Sequence, residues 1–180
     1  LAGLRLQRAN ARGTWGGGWL RLQDLQLQTD DASLQGPLEI QPASRSGRGQ
    51  LQLAMPGAQG RLDGAIAPRE GGGTLSLEVS DVARLGAWLR RLPGQGAIAL
   101  PDLRGRGDLA LEWRGGWVDL QAGQESTARL QGRLRLPALA WHAADAPAPP
   151  LARLRDADIR VSGTLPAWTA SASGQLLRGT

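Results

Sequence analysis

The sequence predicts an all-β chain: a long, curled, antiparallel-rich sheet of about a dozen strands with one short helix near the middle. Three observations lead there. Leucine alternates with Gln, Arg, Asp, Glu or Ser from one end of the 180 residues to the other. The links between alternating runs are short and rich in Gly or Pro, as at Gly36-Pro37, Pro56-Gly57, Pro68 to Gly73 and Gly115-Gly116. Links of that length suit antiparallel neighbours and are too short for βαβ crossovers. Finally, a single stretch near residue 85 changes period from two to between three and four.

The alternating runs follow in order. Leu20-Arg21-Leu22 and Leu25-Gln26-Leu27 form an early strand, and the step through Gln23-Asp24 shifts its phase by one, as a β-bulge does. Leu38-Glu39-Ile40 comes next, then Leu51, Leu53 and Met55, then Leu62 to Ile66 with Gly64 at an inward position. Leu75, Leu77 and Val79 repeat the theme. Beyond the interruption lie Ile98 and Leu100, then Leu109, Leu111 and Trp113, then Val118 and Leu120. Leu130, Leu134 and Leu136 precede Leu139 to Trp141; Ile159 and Val161 follow, with a weaker run from Trp168 to Leu176. Alternate side chains point to opposite faces, so each run carries one apolar and one hydrophilic face. A sheet buried on both sides reads instead as continuous apolar runs.

The interruption is read as a helix over 81–92. Val82, Leu85, Leu89 and Leu92 fall three or four residues apart and Trp88 widens their stripe. Ser80 is the expected N-cap, Arg90 and Arg91 complement the negative end of the helix dipole, and Pro93-Gly94 ends it. The Pro/Ala stretch 143–150 is expected as an exposed loop.

So many strands in one open sheet must curl, split or close, which leaves a sandwich, a barrel or a trough. A membrane barrel uses strands of about 9 to 11 residues with aromatic girdles. The runs here span about five to nine residues, and Phe and Tyr are absent. A sandwich buries the same leucines, but nearly uniform leucine lacks the mixed sizes that specify a tight core. Such a surface suits fluid acyl chains, which need no matched shape. The apolar members of the runs, from Leu20 to Val161, are therefore the candidate lipid-groove lining.

Composition excludes more than it selects. There is no Cys, so disulfides and thiolate metal sites are out. All 21 basic residues are Arg, which lifts the isoelectric point to 11.4 although the net charge is only +5. No apolar run approaches the roughly 18 residues of a membrane-spanning helix. The chain starts within an alternating pattern (Leu4, Leu6) and without Met, and it is read as one segment, 1–180, of a larger groove protein.

Units of the form xLxLxGxLxLxx, broken by a short helix that leads into a fresh alternating run, resemble the TamB/AsmA-like family. Ser80 to Leu100 (SDVARLGAWLRRLPGQGAIAL) carries the resemblance most clearly, supported by Asp102 to Gln121 and Arg129 to Trp141. The resemblance implies a β-taco in the periplasm of a Gram-negative bacterium, with its parent anchored in the inner membrane. It further implies transport of phospholipid between inner and outer membranes, or outer-membrane protein assembly beside a TamA-like barrel partner. The physics is compatible: each buried CH₂ is worth about 0.8 kcal/mol, so an acyl chain leaves a bilayer only for an equally apolar surface.

Other motifs carry little. His142, the single histidine, lies near Asp145 and downstream of Ser126, but at a Pro/Ala loop and without a positioned nucleophile. No enzyme, cofactor or metal is expected. Asp30-Asp31 lacks the oxygen-rich loop of a Ca²⁺ site and reads as a solvated turn. Gly47-Arg48-Gly49 and Gly105-Arg106-Gly107 lack the context of a phosphate loop and read as turns; Arg106-Gly107-Asp108 is an integrin tripeptide with no adhesin around it. Arginines at 104, 106, 114, 129, 133 and 135 alternate with apolar residues, which makes them a solvated face or a rim for anionic headgroups instead of a nucleic-acid site. Trp88 is expected to pack the helix onto the sheet, and Trp113, Trp117 and Trp141 to line or cap the groove. Two alternatives stand beside transport: a closed β-sandwich protein-interaction module of a secretion or envelope system, and a lipopolysaccharide-bridge jelly roll, which normally lacks a mid-chain helix.

Overall fold

A computed structural model describes residues 5–92, 102–118, 127–142, 151–164 and 166–178. Ten strands form one antiparallel sheet in which every strand pairs only with its neighbours in sequence. They are β1 (Leu6–Gly16), β2 (Trp19–Thr29), β3 (Ser33–Gln41), β4 (Ser46–Met55), β5 (Ala58–Ile66) and β6 (Gly71–Val79), followed by the helix α1 (Val82–Arg90). Then come β7 (Asp102–Arg114), β8 (Arg129–His142), β9 (Ala152–Thr164) and β10 (Ala167–Arg178). The all-β curled sheet with one helix is thus as expected, with ten described strands in place of about a dozen.

The register keeps the leucines together. Leu34 of β3 faces Leu27 and Leu53; Leu62 faces Leu51 and Leu75; Leu109 faces Leu77 and Leu134, which in turn faces Ile159. Two phase changes preserve this arrangement. The pairing of β2 slips between Leu22 and Leu25, at the Gln23-Asp24 step. In β8 and β9 the inward positions jump from Leu136 to Leu139 and from Ala157 to Leu154. The shared jump appears as a register shift against β7 on one side and β10 on the other. Asp156 takes φ 50° at this jump, and Pro137, which has no N–H to offer a ladder, sits there too.

Glycines the sequence reading placed in turns lie inside strands. Gly47 and Gly49 belong to β4, Gly105 and Gly107 to β7, and Gly36-Pro37 to the middle of β3. The cause is lateral crowding. Gly47 stands between Ile40 and Ile66, and Gly60 between Leu53 and Leu77, so larger neighbours cover the bare backbone. Gly36 has φ 138°, and a Cβ there would collide with the Gln50 carbonyl. The Trp113 indole lies over Gly73 and Gly64, where a Cβ on Gly64 would come within 2.9 Å of Cζ2. This is aromatic cover of strand glycines.

The strands run 9 to 14 residues, longer than the alternating runs suggested, because they continue through residues such as Gly36-Pro37 in β3 and Pro137 in β8 that interrupt the leucine pattern. Length therefore does not separate this sheet from a membrane barrel, but the described strands form one sheet that is not closed, with β1 and β10 at its two edges. β1 went unseen in the sequence because its inward side chains are Ala9, Ala11, Gly13 and Trp15 rather than leucines. Val118 lies beyond the end of β7, exposed and outside any strand, its N–H donating to the Pro68 carbonyl. Ile98, Leu100, Leu120 and the expected 143–150 loop lie outside the described residues.

The helix is capped by Asp81, not Ser80: the Asp81 carboxylate accepts from the Arg84 N–H at 3.0 Å. Ser80 and Asp81 both donate their N–H groups to the Gly57 carbonyl in the β4–β5 turn. That turn needs glycine, with φ 76° and the Asp81 carbonyl where a Cβ would stand. At its other end α1 reaches the β2–β3 turn, where Arg91 pairs with Asp31 at 3.1 Å and Trp88 is buried. The helix thus bridges two turns at one end of the sheet. At the opposite end Trp117 Nε1 donates to the Arg45 carbonyl in the β3–β4 turn at 3.3 Å, crossing the β5–β6 turn.

Two outcomes check this account. Asp81→Ala should cost about 1 kcal/mol in urea denaturation, whereas Ser80→Ala should change stability by less than about half that. Gly73→Ala should cost about 1–3 kcal/mol through collision with Trp113 and the Asp63 carbonyl. Gly16→Ala, with nothing within 4 Å of the added Cβ, should be close to neutral.

Candidate functional site

The candidate site is the apolar face of the sheet. Every described member of the predicted lining except Val118 lies in a strand, and the register brings them onto one side. Leu20, Leu22, Leu38 and Ile40 form its β2–β3 part; Leu51, Leu53, Met55, Leu62 and Leu75 lie in β4 to β6; Leu111, Trp113, Leu130, Leu136 and Val161 continue it through β9.

Among the described residues only α1, which packs against β7 at one end, adds to the single layer, and no second sheet lies over this face. Most of its leucines are half-buried, Ile66 is exposed, and only Leu25 of the lining is buried. The buried apolar set among the described residues is small: Leu25, Ala58, Trp88, Ala128 and Ala157. A compact monomer of 19.0 kDa exposes roughly 8,400 Å². This chain exposes 12185 Å², as a single layer with an unpartnered face must. The sandwich reading therefore does not describe this sheet.

The opposite face is hydrophilic and cross-linked between strands. Arg48 pairs with Glu39 at 2.7 Å and sits over the Trp19 ring at 5.6 Å. Gln35 donates to Gln52, Gln50 to Asp63 and Gln59 to Glu78. Each such exposed link is worth at most about 1 kcal/mol. A cleft of about 730 Å³ opens on this side, lined by Gln52, Arg61, Ser76, Glu78, Asp108 and Arg133 among others. This open cleft thus lies on the hydrophilic face and not along the leucines. Sequence reading missed this cleft; its sole trace there was the outward arginines, read as a solvated face.

The tightest group on that face surrounds Asp158. Arg133 and Arg160 stand directly opposite one another, a repulsive placement. Asp158 relieves it, accepting from Arg133 Nε at 3.1 Å and pairing with Arg160 Nε at 3.3 Å. The Arg133 hydrogen bond, aided by both positive charges, holds the Asp158 carboxyl below its ordinary value of 3.8. A depressed folded pKa contributes stability that is complete above the unfolded value and disappears as pH falls through the folded one.

The remaining motifs resolve simply. Arg106-Gly107-Asp108 lies inside β7 with Gly107 buried, so it is not displayed as a loop. Asp30 accepts from Gln7 and Asp31 pairs with Arg91. His142 ends β8 opposite Asp102. Trp113 lies on the leucine face, and Trp141 is 49% exposed between Leu103 and Ala152.

Comparison with family models, curated proteins and solved structures finds no match.

Asp158→Asn should lower the urea midpoint at pH 7, and the difference from the parent should close as pH falls below the ordinary Asp range near 4. A difference that persists unchanged into acid would show that the charge of Asp158 is not what stabilises the β8–β9 pair.

Proposed function

We propose that this chain is a periplasmic segment of a TamB/AsmA-like protein whose leucine face receives phospholipid acyl chains. On this reading the parent is anchored in the inner membrane of a Gram-negative bacterium and carries lipid toward the outer membrane. Support of outer-membrane protein assembly beside a TamA-like barrel belongs to the same reading.

The observation that carries it is the leucine face continuing strand after strand, with no second sheet over it among the described residues. Exposed apolar patches beyond a few hundred Å² mark interaction sites. Aliphatic side chains of nearly one type offer hydrocarbon many equivalent contacts, so an acyl chain can shift along the wall without a deep energetic trap. The arginines of the other face remain in water, which keeps the wall amphipathic as a whole. The resemblance of Ser80 to Leu100 to the family's strand–helix–strand units supports the same assignment.

A photo-crosslinking residue at Leu53 or Leu111 should capture lipid in cells, and one at Gln52 or Glu112 should not. Native mass spectrometry after gentle purification should show bound phospholipid. Equal labelling at both parities, or lipid-free protein, would remove the transport reading.

A further inference from the structure

Positive charge is spread unevenly over the hydrophilic face. On β1 to β6 the outward arginines, Arg8, Arg12, Arg21, Arg48 and Arg61, interleave with Asp24, Glu39, Asp63 and Glu78. Where β7 and β9 begin, the balance changes. Arg104 stands opposite Ala140 and Arg106 opposite Ala138, and the same two alanines face Arg153 and Arg155 on their other side.

The pairing makes an array of four guanidiniums around two methyl groups. Neighbouring strands lie about 4.8 Å apart, so the β7 and β9 backbones are about 10 Å from each other, and successive outward residues of one strand are about 7 Å apart. All four arginines are exposed, as is Ala138, and Ala140 is half-buried. Long arginine stems can lean over that low floor from both sides.

Little on the protein neutralises the array. Arg104 pairs with Asp102 at 3.4 Å, an exposed contact, and Arg106, Arg153 and Arg155 have no ion pair among the described residues. Asp108 stands opposite Arg135, and Asp158 is held by Arg133 and Arg160. That leaves Asp102 and the exposed Asp156 against four cations.

We propose that Arg104, Arg106, Arg153 and Arg155 form a binding site for a phosphate-bearing anion seated over Ala138 and Ala140. Guanidinium is planar and offers paired N–H donors to phosphate oxygens, so arginines reaching in from two strands suit a tetrahedral anion. Alanine is what the floor requires. A larger outward side chain would fill the anion's place, and a carboxylate there would neutralise the arginines internally, as Asp158 does for Arg133 and Arg160. The site lies on the face away from the leucines and does not depend on acyl chains binding there.

The probe is inorganic pyrophosphate, titrated calorimetrically into the whole chain at low ionic strength. Saturable binding is expected. Arg106→Gln combined with Arg155→Gln should weaken it by about tenfold or more. Arg21→Gln combined with Arg61→Gln removes the same charge elsewhere on that face and should stay within about twofold. Ala138→Leu, which fills the floor without altering charge, should weaken binding by about as much as the first pair. Unchanged urea midpoints show that lost binding is not lost fold. Phosphatidylglycerol vesicles, sedimented with the protein, separate the two sources of phosphate. Displacement by pyrophosphate identifies a lipid headgroup, and pyrophosphate binding without vesicle binding identifies a soluble ligand. No saturable pyrophosphate binding, equal losses from the two arginine pairs, or full binding by Ala138→Leu would overturn the proposal.

Discussion

Parity is the constraint that orders this molecule. Side chains in a strand alternate with a period of two, so a one-residue slip between neighbours would turn a row of leucines into water and a row of arginines onto leucine. Each ladder from β1 to β10 avoids that slip, or compensates for it. The extra residue at Gln23-Asp24 resets β2 alone. The jump at Pro137 and Asp156 is carried by β8 and β9 together, so the two strands stay in step with each other and absorb the mismatch at their outer borders. The faces stay segregated because the irregularities are placed where they restore phase.

Segregation then decides the energetics. A single layer cannot bury its apolar face by itself, and the described residues close over little more than Trp88, Leu25 and a few alanines. Backbone ladders, lateral leucine contacts and cross-strand polar links hold the sheet. The two crossings at its ends, α1 from Gly57 to Asp31 and Trp117 to Arg45, tie non-adjacent strands together. The same arrangement leaves most of the leucines only half-buried.

Much of this was legible in the residues, and the gaps have physical causes. Leucine alternation marked β2 to β9, and more weakly β10, because large inward side chains leave a strong period-two pattern. It missed β1, where the inward residues are Ala, Ala, Gly and Trp, and whose only leucine at the start is Leu6. Gly-Arg-Gly at 47–49 and 105–107 looked like turns because glycine is a local breaker; only the neighbouring strands reveal that Ile40, Ile66 and Leu136 need the space. The helix was readable from its stripe, but the choice of Asp81 over Ser80 as cap depends on Gly57, a contact 24 positions away in the chain. The hydrophilic cleft was illegible, since it arises from sheet shape and not from any run of residues.

The strictly sequential strand order has an evolutionary corollary. Each described strand pairs with its neighbours in sequence, so a pair of strands could be duplicated or lost without exchanging the two faces of the sheet. Such a scaffold grows as a ribbon grows, by modules of two, and each module brings its own stretch of aliphatic wall. The width of the sheet would then be a heritable quantity set by copy number.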